Sequence, residues 1–277
     1  MTPRTIQKAV NVALQDHGGG FVVARPFAAL GVDVDPFLMI DWFSMSKDPF
    51  GPHPHAGFSA VTWLLPHSEG GVHNRDTLGD NSSFGPGELH WFEAAHGAMH
   101  NEKPIGPGPT EGLQIFVNLP ASLKHEPAKT YRGHAKDIPV VDVGGSRIRV
   151  VVGAFEGRVS PIVPRGLSGG RAEVAIFDVE VNGTVNLPIP RGHNAVAIVT
   201  RGDVAVNGDR HNVVLLGVDP GGDGDGVTLE GRGAVVLLHG KPLNEPVIAG
   251  GPFVMSTYGD LKDAYVRYER GEMGRLR

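Results

Sequence analysis

Short apolar runs, each closed by glycine, proline or a polar turn, limit most strongly what this chain can fold into. Asp35-Pro36-Phe37-Leu38-Met39-Ile40-Asp41-Trp42-Phe43, Phe58 to Leu65, Leu89-His90-Trp91-Phe92 and Leu113-Gln114-Ile115-Phe116-Val117-Asn118-Leu119-Pro120 follow one another in this way. Turns fall between them at 68–71, 79–83 and Phe84-Gly85-Pro86-Gly87-Glu88. This rhythm predicts an antiparallel barrel or sandwich and speaks against alternating strands and helices. Gly 40 and Pro 22 in 277 residues supply the tight turns that such short strands need. Residues 6–24 read as a hairpin with Asp16-His17-Gly18-Gly19-Gly20 at its tip.

A polar stretch from Ala121 to Asp137 breaks the rhythm and reads as a linker. Beyond it, 147–152, 171–181, 194–200, 213–218 and 234–239 again read as short strands. They look like a weakened second copy, with Ile189-Pro190-Arg191-Gly192-His193-Asn194-Ala195-Val196 set against the run from His53. The expected division is 1–125 and 126–277. The convincing helix is at the C-terminus, where Thr257 and Asp260 form a capping box. Leu261, Ala264, Tyr265 and Tyr268 follow at helical spacing, and Gly271 stands where a C-cap belongs.

Within the first copy, Pro52-His53-Pro54-His55-Ala56-Gly57-Phe58 and Gly97-Ala98-Met99-His100-Asn101-Glu102 each carry two potential metal ligands one residue apart. On a strand, residues two apart share a face and lie about 6.6 Å from Cα to Cα. Both side chains of a pair can then reach one ion at about 2.0–2.2 Å. Two facing pairs give three imidazoles and one carboxylate. Of 13 histidines, seven lie between His53 and His100, where an even spread would place about two.

The expectation is therefore one divalent ion per chain in a small β-barrel, held by His53, His55, His100 and Glu102. Iron, manganese, cobalt, nickel, copper and zinc all suit these ligands. Four protein ligands leave positions open on an octahedral ion, which permits catalysis. Glu102, the one carboxylate among them, is the candidate general base. Phe58, Trp63, Phe92, Met99, His90 and His96 are candidates to line an apolar pocket beside the ion. His67 and His73 read as solvated turn residues, while His193, His211 and His239 read as structural histidines without close partners.

A net charge of -5 gives no electrostatic footprint for nucleic acid or an anionic membrane. Cys 0 removes disulfides and thiolate ligands. No run approaches 18 apolar residues and Met1-Thr2-Pro3-Arg4-Thr5 is no signal peptide, so a cytoplasmic monomer is expected. Gly166-Leu167-Ser168-Gly169-Gly170 imitates a nucleophile elbow but lacks the strand before and helix after it. Gly221-Gly222-Asp223-Gly224-Asp225-Gly226 lacks the distal glutamate of a calcium loop and reads as a hairpin turn.

These runs resemble the pirins, a family within the cupin superfamily. The segments at Asp35–Asp41, Pro52–Phe58 and Gly112–Pro120 carry the likeness, together with Glu245-Pro246-Val247 and Gly251-Pro252-Phe253-Val254-Met255. The resemblance implies an all-β chain of two tandem cupin (jelly-roll) barrels with a short C-terminal helix. It also implies iron or another divalent metal in the first barrel, on His53, His55, His100 and Glu102. Several pirins act as quercetin 2,3-dioxygenases, opening a flavonol with O₂ and releasing carbon monoxide. Others act as redox-sensing regulators that bind a partner protein. A flavonol-like aromatic substrate is thus one expectation and a regulatory partner the alternative. The chain departs from the common Gln-Trp-Met-Thr-Ala-Gly-Arg-Gly at His90-Trp91-Phe92-Glu93-Ala94-Ala95-His96-Gly97, and has Asn74 where histidine is frequent.

Overall fold

The computed structural model describes residues 1–164, 174–217 and 224–276. The serine motif at 166–170 and the glycines and aspartate at 221–223 lie outside these residues. The fold is mostly antiparallel β, in two compact units. They do not divide the chain at residue 125. One unit takes 13–25, 37–135 and 243–277, and the other takes 1–12, 26–36 and 136–242. The cause is long-range pairing: Ile6–Val10 is an edge strand against Val213–Leu216, so the N-terminus belongs with the later strands. No local pattern in the sequence carries that pairing.

The unit built largely from the second half centres on a seven-stranded sheet, ordered Ile6–Val10, Val213–Leu216, Asn194–Val206, Gly226–Gly240, Val174–Pro188, Ser146–Val152 and Val140–Val143, with a small hairpin of Ala154–Phe155 and Arg158–Val159. Its core is aliphatic, with Val179, Leu187, Ala197, Val214, Leu229 and Leu237 nearly free of solvent. His193 and His239 do have a close partner, contrary to the sequence reading: their Nδ1 atoms are 3.0 Å apart. The Arg4 guanidinium is buried among the carbonyls of His193, Pro190, Ile189 and Gly217.

Burial, the neighbouring His193 and Arg4 push the pKa of His239 down to about 3. Unfolded, the same imidazole takes its proton near pH 6.5. Between these values the unfolded chain binds the extra proton, so this contribution to stability is intact above pH 6.5 and declines towards pH 3. The slope is about 1.4 kcal/mol per pH unit for one group. Urea midpoints of the wild type and His239→Leu, measured from pH 7 to 5, should show the variant less acid-sensitive by about 2 kcal/mol at pH 5. Parallel profiles would contradict this.

The other unit places two sheets face to face. The larger is ordered Lys129–Gly133, Leu89–Glu93, Phe58–Leu64, Thr110–Asn118, Phe37–Met45, Phe21–Ala24 and Gln15–Asp16. The smaller is ordered His53–His55, Ala98–Ile105, Gly71–Asp76 and Asn81–Phe84. The stretch read as a linker is instead part of this unit as far as residue 135. Lys129–Gly133 is an edge strand on Leu89–Glu93, and Lys124 is almost fully buried. His73 and residues 81–83 likewise lie in strands and not in turns.

The C-terminal segment completes this unit as a strap and a helix. Thr257 caps the helix Tyr258–Glu269 by accepting from the Asp260 amide, as the capping box predicted. Ala264 is buried, and Tyr265 and Tyr268 meet Phe253 edge-on. The Val254 amide donates to the Ala56 carbonyl at 3.0 Å, beside the His53–His55 strand. Lys124 Nζ donates to the Val254 carbonyl at 2.9 Å and to Asn118 Oδ1 at 2.7 Å. Burial lowers the Lys124 pKa to about 8, against the opposing pull of Glu245 and Asp260.

Candidate metal centre

His53 and His100 sit directly opposite each other on paired antiparallel strands, with His55 opposite Ala98. Proline at the centre of His53–His55 is tolerated because this is an edge strand. The alternation read from the sequence holds: His53, His55 and His100 offer ligand atoms that all lie within 4.8 Å of one another. The Nε2 atoms of His53 and His100 are 3.1 Å apart. Two donors at about 2.0–2.1 Å from one ion, at a right angle, would be separated by about 2.8–3.0 Å.

The protonation states suit a cation. His53 Nδ1 lies 2.8 Å from the Gly51 carbonyl, which fixes that nitrogen as the donor and leaves Nε2 its lone pair. Burial, assisted by His53, pushes the pKa of His55 down to about 3. Burial and the surrounding histidines His55, His53 and His90 hold His100 well below the usual imidazole range. Both rings are therefore neutral at physiological pH, the form that ligates metal. Buried imidazoles facing one another are costly without a cation between them, and a divalent ion fits this donor set.

Glu102 is placed differently from the three imidazoles. It gathers with His90 and His100. Its Oε1 is 2.7 Å from His90 Nδ1, and its Oε2 accepts from Thr62 Oγ1 at 2.8 Å. Burial alone would raise the Glu102 pKa, but the hydrogen bond and charge of His90, then Thr62 and Arg132, bring it below the usual value. The Thr62 hydroxyl also lies 3.1 Å from Gln114 Oε1.

A cavity of about 300 Å³ opens above these groups between the two sheets. His53, His55, His100 and Glu102 line it from the smaller sheet, and Phe21, Arg25, Met39, Asp41, Phe43, Met45, Gln114 and Phe116 from the larger one and its edge, with Phe50 beside them. None of the six residues expected from the sequence to form the pocket lines it. Phe58 and Phe92 pack behind the imidazoles: Phe58 is 5.0 Å from His55, and Phe92 stacks on His100 at 4.6 Å. Trp63 is fully buried in the core. Met99 joins the cluster under the C-terminal helix, and His90 backs Glu102. His96 is exposed, its carbonyl accepting from Arg267. The lining was missed because it comes from the next strands across the barrel. The alternation of Met39, Asp41, Phe43 and Met45 was the signal that could have found it.

The Pirin family model matches residues 21–117, and the Pirin C-terminal cupin domain model matches residues 174–274. This chain belongs to the pirin family. A pirin-like protein of Caulobacter vibrioides is 35% identical over 98% of this chain and 99% of its own length. A crystal structure of quercetin 2,3-dioxygenase from Acinetobacter baumannii has a TM-score of 0.83 and 27% identity, covering 99% of this pirin and all (100%) of that chain. A bacterial pirin from Escherichia coli in complex with nickel(II) shares the fold with a TM-score of 0.60 and 17% identity, over 86% of this chain and 98% of its own. Ala95, just before the Ala98–Ile105 strand, has φ 40.

Proposed function

We propose that this pirin is a metal-dependent dioxygenase that opens a flavonol-type substrate with O₂ and releases carbon monoxide. His53, His55 and His100 would hold the ion, Glu102 serving as base and as fourth ligand. The observation that carries this reading is the convergence of the imidazoles of His53, His55 and His100 at the wall of an apolar, aromatic-lined cavity. The bound ion would supply a Lewis-acidic centre that makes an enolic hydroxyl acidic. Iron is the first choice among several ions that suit these ligands.

The remaining work falls to the chain. Phe21, Phe43, Phe50 and Phe116 offer ring faces and edges to a flat aromatic body. Glu102 is the group positioned to take the hydroxyl proton. To do so it gives up one of its two hydrogen bonds, and Thr62 is the partner it can release without loss. The freed hydroxyl turns to Gln114 Oε1, already 3.1 Å away. His90 keeps the other carboxylate oxygen in place throughout.

Oxygen consumption and carbon monoxide release should follow addition of quercetin to protein reloaded with iron, and Glu102→Gln should lower the rate at least about 100-fold, the lower range for a lost general base. No turnover with any first-row ion would sink the activity and turn attention to a regulatory role.

A further inference from the structure

We propose that Arg25 and Asp41 form a distal subsite of the cavity that recognises a neutral hydroxyl on the far end of an aromatic substrate. This rests on the flavonol reading above, and names what that reading leaves open: how the end remote from the ion is chosen.

Sheet register carries the argument. Asp41 pairs with Gln114, Gln114 with Thr62, and Thr62 with His90 across four neighbouring strands. These residues make one polar row through the barrel. The row on one side is Met39, Phe116, Ala60 and Phe92, and that on the other begins Phe43, Gly112, Leu64. At one end of the polar row stands Glu102, bonded to His90 and Thr62. At the other stands Asp41, two strand spacings, or roughly 10 Å, from Thr62. An elongated ligand that meets Glu102 at one end therefore meets Asp41 at the other.

Stability does not account for Asp41. The Arg25 Nε to Asp41 Oδ2 distance is 3.9 Å, beyond hydrogen-bond range, and the Arg25 side chain is 49% exposed. A pair of this kind contributes little to folding. Burial raises the Asp41 pKa, against Arg25 and then His17, whose ring lies 3.4 Å from Arg25 Nη1. A carboxylate has been placed on an otherwise apolar strand face with an open hydrogen-bonding position beside a guanidinium. A phenolic hydroxyl satisfies both groups, donating to Asp41 and accepting from Arg25. A carboxylate there would meet the charge of Asp41, and a bare ring edge would leave both groups desolvated without a partner.

The test uses the full, metal-loaded chain and three probes: 3-hydroxyflavone, its 4′-hydroxy derivative and its 4′-carboxylate, with Kd measured by calorimetry and metal content measured alongside. A hydrogen bond to a charged group is worth about tenfold or more in affinity. The 4′-hydroxyl should tighten binding to the wild type by about that factor over 3-hydroxyflavone. The ratio should collapse towards one in Asp41→Leu and in Arg25→Met, while Asp41→Asn should improve the 4′-carboxylate relative to the wild type. Equal binding of the first two probes by the wild type, or a ratio that survives both Asp41→Leu and Arg25→Met, would overturn the subsite and leave the flavonol reading standing. Failure of every probe to bind metal-loaded wild type would overturn both.

Discussion

Replacing His100 with alanine should abolish stoichiometric loading with a divalent ion. His100 belongs to two of the three potential ligand groups among the described residues, that with His53 and His55 and that with His90 and Glu102. Removing an outer partner of a metal site typically costs 10–100-fold in affinity, so loss of a ligand should cost more than about 100-fold. The effect is separable from misfolding, because His100 is a buried imidazole whose Nδ1 has no hydrogen-bond partner. Its removal relieves an unsatisfied polar group, worth about 1–3 kcal/mol, which offsets part of the lost packing on Phe92. At free metal 100 times the wild-type Kd, the wild type should gain about 2.7 kcal/mol of stability and the variant almost none. Thermal melts with and without the ion would read this. An equal metal-induced shift in both proteins would mean that the ion binds elsewhere.

The second large effect lies in the backbone beside the ligands. Gly57 follows the His53–His55 strand with φ 83, and a Cβ there would sit 1.8 Å from the Val254 carbonyl oxygen. The strap cannot step back cheaply, because Lys124 Nζ holds that carbonyl and Ala56 accepts from the Val254 amide. Gly57→Ala should therefore destabilise the chain by about 4 kcal/mol or more, the range reserved for clashes and special backbone conformations. Gly79→Ala is the control. It has φ 100 but nothing within 4 Å of the added carbon, so it should cost only the left-handed strain of about 1–2 kcal/mol. Denaturant midpoints of equal size for the two variants would show that the strap yields and the close approach costs nothing.

Much of this architecture could be read from residue order because it rests on local pattern. The candidate ligand triplets are legible because strand alternation alone puts His53 with His55 and His100 with Glu102 on common faces. The C-terminal helix is legible from Thr257, Asp260 and the spacing of its apolar face. What escaped depends on contacts distant in sequence. The pairing of Ile6–Val10 with Val213–Leu216 has no local signature. Lys124 falls in the polar stretch that reads as a linker, yet its ammonium is buried between Asn118 and Val254. The sequence neighbours of the candidate ligands pack away from the cavity, which is lined in part by alternate residues of Phe37–Met45. Phe58 and Phe92, read from the sequence as pocket-lining, pack instead behind the imidazoles, outside the cavity.

Anomalous diffraction from crystals of the chain loaded with a single first-row ion, alongside metal analysis of the same protein, tests the central claim most directly. One ion per chain should appear between the imidazoles of His53, His55 and His100, on the wall of the Phe43 and Phe116 cavity. Full metal content with the peak anywhere else, or no peak among those three rings, would contradict it.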